Sequence, residues 1–326
     1  MRIKFDKLVL AIAIVVTIAY FFPHYGTGSS ASVIKKISTI GIALIFFFYG
    51  LKLSPSKLKS GLSNWKLHVL IQCSTFVIFP VLVLLLRPLI QNSEQEIIWL
   101  AFFFLAALPS TVSTSVVMVS LAKGNLPAAI FNSSISGIIG ILITPLWIGL
   151  FVEDTQVTFD FSEIYISLVL QVLFPVFLGA SLQRFLGKFI EKHSKKLTMF
   201  DKSIILLIIY KSFAESFSEN LFSTISIIDI VAILAGVLLL FGFIFLFVNF
   251  ISKKLGFSIE DRIAAQFCGT KKSLVHGTVF SKILFGNMAA IGIILLPLML
   301  FHISQIVIIS IIASRYKDRD ELIITN

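Results

Sequence analysis

Charge is scarce in this sequence. Only 13% of its 326 residues are Asp, Glu, Lys or Arg, whereas a soluble domain is about one quarter charged. That shortage excludes an ordinary soluble enzyme and a solvated disordered chain. Cysteine is scarcer still. Cys73 and Cys268 are the two present, both inside apolar stretches, with no CxxC and no metal-ligand spacing. A disulfide scaffold is therefore excluded, and both residues read as buried thiols. Carboxylates number 17, and no pair of them falls within an apolar run. HExxH, GxSxG and P-loop patterns are all missing, which argues against a membrane-embedded enzyme and leaves no cofactor to predict. The lack of an acidic ring likewise argues against a cation channel.

Apolar sequence is what the chain has. Hydrophobic residues make up 57%, including 33 phenylalanines, and mean hydropathy is +0.99. Runs of about 20 apolar residues follow one another. They cover 8–22, 34–52, 65–90, 97–122, 127–151, 161–184, 201–216, 227–250, 259–283 and 287–313, which predicts an all-α polytopic membrane protein with ten transmembrane helices. Turn and charge signals fill the gaps: Pro23 and Gly26, Pro55 and Gly61, Asn92 to Glu96, Lys123 to Asn125, Glu153 and Asp154, Lys253 to Gly256. With both termini inside, the cytoplasmic segments carry 20 of the 27 Lys and Arg residues, and the outer ones only Lys35, Lys36, Lys211 and Lys282. This bias follows the positive-inside rule and places the chain in a bacterial-type inner (plasma) membrane. The net charge of +10 is accounted for by loops facing an anionic leaflet, with the lipid bilayer and no nucleic acid as partner. A competing reading of Arg2, Lys4 and Lys7 before Leu8–Phe22 is a signal peptide, but losing that span would break the charge pattern.

One stretch recurs. Lys123-Gly124-Asn125-Leu126-Pro127-Ala128-Ala129-Ile130 parallels Phe285-Gly286-Asn287-Met288-Ala289-Ala290-Ile291, each joining the fourth and fifth span of its half. Five spans per half predict two inverted repeats, 1–155 and 156–326, within one membrane domain. The span before each join is interrupted by polar sequence: Pro109, Ser110, Thr111, Ser113, Thr114 and Ser115 in the fourth, Gly269, Thr270, Lys271, Lys272 and Ser273 with His276 in the ninth. Aligning Gly124 with Gly286 sets Pro109 against Lys271, and both breaks fall near the middle of a hydrocarbon core about 30 Å thick. Paired interrupted spans at that depth point to a transport site. Lysine there is costly, at about 2.5–3.5 kcal/mol on insertion scales. Lys271 and Lys272 are therefore candidates to bind an organic anion or to stand in for a coupling sodium. Each break alone could also be an ordinary kink. Asn132, Ser133, Ser134 and Ser136 in span five read equally as small-residue helix packing.

Residues 108–117, 121–125 and 129–134, together with Phe267-Cys268-Gly269-Thr270-Lys271-Lys272-Ser273, resemble the bile acid:sodium symporter family. The likeness is greatest to its divergent branch of bacterial sodium-dependent transporters, related to animal proteins linked to calcium regulation. The resemblance implies a secondary transporter with unwound, crossing helices four and nine between a core and a panel domain. It moves a small organic anion by alternating access, coupled to sodium or protons, and a non-transporting regulatory protein is the alternative. The family's sodium-site hydroxyls fall on Ser115 and Ser133. Val116, Phe267 and Lys271 stand where the bile-acid carriers use asparagine, glutamate and glutamine.

Overall fold

The computed structural model describes residues 7–28, 30–53, 64–111, 113–152, 166–167, 169–286, 288 and 290–317. Asn287 and Ala289 of the repeated join, the turn signals Pro55, Gly61, Glu153 and Asp154, and the start of the sixth span lie outside the described residues. Regular structure among the described residues is helical throughout. The chain is a polytopic α-helical membrane protein. Among the described residues, six helical stretches are long and apolar enough to cross a bilayer: Ala31–Lys52, Trp65–Leu89, Leu126–Phe151, Val169–Ser218, Ile227–Lys254 and Ile291–Tyr316. Helix is the structure such sequence must take in hydrocarbon, because it satisfies every backbone N–H and C=O within one segment.

The chain forms two compact units. The first comprises Met1–Ser54, Val152–Ile227 and Gly277–Leu296. Its main elements are α1 (Lys7–Phe21), α2 (Ala31–Lys52) and a long helical run described below. The second comprises Pro55–Phe151, Ile228–His276 and Pro297–Asn326. It holds α3 (Trp65–Cys73), a π-helical turn at Ser74–Ile78, α4 (Phe79–Leu84), α5 (Ser93–Ala107), α6 (Ser113–Leu121) and most of α7 (Leu126–Val152). In chain order the remaining helices are α8 (Phe174–Ser218), the long run of the first unit; α9 (Ile227–Lys254) and α10 (Ile259–Gly269), almost wholly in the second; and α11 (Leu274–Leu284) and α12 (Ile291–Lys317), through which the boundary between units passes.

In the first unit α2 and α8 approach at glycines. A Cβ on Gly50 would lie 2.2 Å from the Val176 carbonyl oxygen, and one on Gly179 would lie 2.1 Å from that of Phe47. Small residues of this kind let helix backbones meet in lipid. The sixth and seventh spans expected from sequence are a single helical run in α8, since the basic stretch between them contains no helix breaker stronger than Gly187. The run nevertheless turns back on itself. Gly179 packs at Phe47 and Asp201 pairs with Lys52 at 3.6 Å. Residues 179 and 201 would stand about 33 Å apart on a straight helix, whereas residues 47 and 52 are only about 7.5 Å apart on α2.

In the second unit three helices begin on side-chain caps: Asn64 accepts from the Leu67 N–H, Asn92 from the Gln95 N–H and Ser258 from the Asp261 N–H. Asp261 then ties the same end together. Its two carboxylate oxygens accept from the side-chain amides of Asn125 at 2.6 Å and Asn64 at 2.9 Å. Arg87, counted within the third span by sequence, lies in a turn after α4 and stacks over the Trp99 and Phe151 rings. The sequence reading is corrected at Cys73, which is exposed at the end of α3, while Cys268 is buried.

Candidate functional site

Two helices of the second unit stop inside the membrane-spanning bundle. α5 ends at Ala107 because Pro109 supplies no N–H and disfavours helix at Leu108. Helix resumes at Ser113, so Ser113 and Thr114 belong to α6 and the break covers 108–112, of which Val112 is outside the described residues, as is the side chain of Ser113. α10 ends at Gly269, and helix resumes at Leu274. The two breaks meet: the Ser273 N–H donates to the Pro109 carbonyl at 2.9 Å, and the Ser110 hydroxyl donates to the Cys268 carbonyl at 2.6 Å. Gly140 on α7 makes room, since a Cβ there would come within 2.7 Å of the Pro109 ring.

A helix C-terminus leaves its last carbonyls without intrahelical donors. At these two ends three carbonyls each find a side-chain donor. For α10, the Phe267, Cys268 and Gly269 carbonyls accept from Ser115, Ser110 and Ser74. For α5, Ala107 accepts from Thr144 at 2.7 Å, and Ala106 and Leu108 accept from the Lys272 Nζ at 2.6 and 2.8 Å. A third carbonyl, that of Thr75, accepts from the same Nζ at 2.8 Å, and the Phe79 ring lies 4.1 Å from it. The Lys272 backbone is clamped as well. Gln305 accepts from its N–H and donates to its carbonyl, both at 2.9 Å. Lys271 points elsewhere, and its Nζ donates to the Thr114 carbonyl at 3.0 Å. Both lysines are fully buried, and they take different partners, Thr114 for Lys271 and Thr75, Ala106 and Leu108 for Lys272.

The sequence-singled residues thus divide by role. Ser110, Ser115 and Thr270 satisfy carbonyls, Thr270 that of Gln266. Thr111 and Thr114 hydroxyls face each other at 3.2 Å. Ser273 lies 2.9 Å from His276 Nδ1 and caps α11. Asn132 is engaged by Gln72, by His68 and by the Ala128 carbonyl. Ser133 lies 3.8 Å from the Cys268 thiol, and Ser136 accepts from the Ser110 N–H. Sequence reasoning passed over Gln305, Thr144, Gln72 and Ser74. An amide or hydroxyl within a largely apolar run was the available signal at each. No group of three or more metal-ligating side chains occurs among the described residues.

Similarity to known proteins covers nearly the whole chain. Residues 6–318 match the model of the SBF-like CPA transporter family. Among relatives, the chain is 34% identical to "Uncharacterized protein PA2026" of Pseudomonas aeruginosa, over 96% of this chain and 93% of the relative. It is 31% identical to an Escherichia coli protein named "Putative symporter YfeH", over 97% and 94%. It is 30% identical to "Sodium/bile acid cotransporter 7" of Danio rerio, over 97% and 95%. With its apolar helices and these relatives, the chain belongs to the SBF-like CPA transporter family, within the bile acid:sodium symporter group of membrane transporters.

Proposed function

We propose that the chain is a secondary transporter that carries a small organic anion by alternating access around the paired breaks, in a bacterial-type plasma membrane with both termini cytoplasmic. The observation that carries this reading is Lys271, a fully buried cation at the edge of an unwound segment. Its Nζ lies beside the first turn of α6, where the Thr111 and Thr114 hydroxyls also meet. A helix N-terminus, two hydroxyls and an ammonium together suit a carboxylate or sulfonate.

A ten-helix, inverted-repeat architecture supports the reading. The order helix–break–short helix–long helix runs through α5, α6 and α7 and again through α10, α11 and α12. The six long stretches become ten when the two broken helices, the shorter α1 and the second pass of α8 are added. The repeats are 1–155 and 156–326. The name "Sodium/bile acid cotransporter 7" borne by relatives supports sodium as the coupling ion, and a proton is the alternative. Ser115 and Ser133 are the sodium-ligand candidates on this chain.

A thermal-shift screen of purified protein against organic anions, with and without sodium, tests the proposal. An anion that raises the melting temperature of wild type but not of Lys271→Gln supports it. Stabilisation by neutral or cationic solutes alone refutes it.

A further inference from the structure

We infer that the main-chain carbonyls of Thr75, Ala106 and Leu108 form a monovalent-cation cage, and that the Lys272 ammonium fills it as a tethered ion. The donor count fits. An ammonium carries three N–H groups, a neutral amine two, and three carbonyls surround Nζ at 2.6–2.8 Å. No carboxylate pairs with Lys272 among the described residues. The charge is held by carbonyl dipoles and by the face of Phe79, the kind of ligand set that serves an alkali cation.

The cage arises from two prolines. In the π-helical turn the Phe79 N–H bonds to the Ser74 carbonyl. The next carbonyl in that register, Thr75, would need an N–H from residue 80, which is Pro80. Pro109 stops α5 and strands the Ala106 and Leu108 carbonyls at a helix C-terminus, its negative end. Three stranded oxygens thus converge where a mobile cation would bind, and the chain supplies its own. The Gln305 clamp on both backbone groups of Lys272 keeps the side chain rooted there. One positive charge at the crossing is then permanent. A coupling ion cannot exchange through this position, and any sodium the transporter uses must bind outside the cage.

The inference concerns the cation side of the proposed transport site. Its test reads stability alone, so it survives the failure of every anion screened. Purified full-length Lys272→Ala is melted in choline buffer and then with increasing sodium, lithium, ammonium or ethylammonium chloride, alongside wild type. Emptying the cage should lower the melting temperature. A small monovalent cation should then restore it in proportion to the logarithm of its concentration, while wild type stays flat over the same range. Lys272→Met fills the space without donating, so it should melt below wild type and respond to no cation. A folded Lys272→Ala indifferent to all four cations overturns the cage, as does wild type responding as strongly as the variant. If Lys272→Ala cannot be recovered folded with or without added cation, Lys272→Met decides: melting at or above the wild-type temperature refutes the inference, and melting below it upholds it.

Discussion

Gly50 on α2 and Gly179 on α8 mark one close approach, where a methyl on either residue would strike a backbone carbonyl of the other helix. Backbone cannot step aside as a flexible side chain can. Gly50→Ala and Gly179→Ala should each destabilise the protein by about 1–3 kcal/mol, the usual cost of overpacking. Gly242→Ala on α9, where nothing lies within 4 Å, should be neutral or gain up to about 1 kcal/mol in helix propensity. Melting curves in one detergent rank the three, and equal melting temperatures would refute the close approach.

Lys271→Gln should weaken anion binding by roughly 10- to 150-fold, the equivalent of losing one charge-assisted hydrogen bond of about 1.5–3 kcal/mol. Its melting temperature without ligand should stay near wild type, because the glutamine amide can donate to the Thr114 carbonyl in place of the ammonium. Titration of the stabilising anion against both proteins checks this. Unchanged affinity would remove Lys271 from the site.

Gln305→Met keeps side-chain volume but leaves the Lys272 N–H and carbonyl without partners. Each orphaned group costs about 1–3 kcal/mol. Gln305→Glu retains the acceptor and loses the donor, so its loss should be intermediate. The order wild type, Glu, Met in melting temperature is the expected outcome, and Met matching wild type contradicts the clamp.

Asp261 holds Asn64 and Asn125, whose side chains in turn cap the Leu67 and Ala128 amides. Asp261→Ala should release both caps together. Hydrogen exchange should quicken at Leu67 and Ala128 while amides in the middle of α9 stay protected. Faster exchange at only one of the two places would mean that the carboxylate does not join them.

The helices were legible because hydrocarbon leaves few options: apolar runs bounded by charge reappear as α2, α7, α9 and α12 within a few residues. The breaks were legible because Pro109 and Gly269-Thr270-Lys271-Lys272 disrupt otherwise uniform apolar sequence. The continuity of α8 was hidden, since a basic stretch is equally good as loop and as helix. The surroundings of Lys272 were hidden for a different reason. Its ligands are carbonyls, and Thr75, Ala106 and Leu108 contribute nothing through their side chains. Only Pro80 and Pro109 leave a trace of them in the sequence. Hydroxyls such as Ser110 and Ser115, which looked like substrate contacts, are occupied by helix ends, a demand set by where each helix stops.

Each compact unit is assembled from three separated stretches of chain, and α12 begins in one and ends in the other. During synthesis, neither unit is complete before this last helix has entered the bilayer. Until then Lys272 lacks Gln305, and the Gly292 N–H is not there to meet Ser216. Both units are therefore completed late, when α12 is in place. A stop codon anywhere before Ile291 would yield two unfinished units, one of them without the Gln305 clamp on the Lys272 backbone.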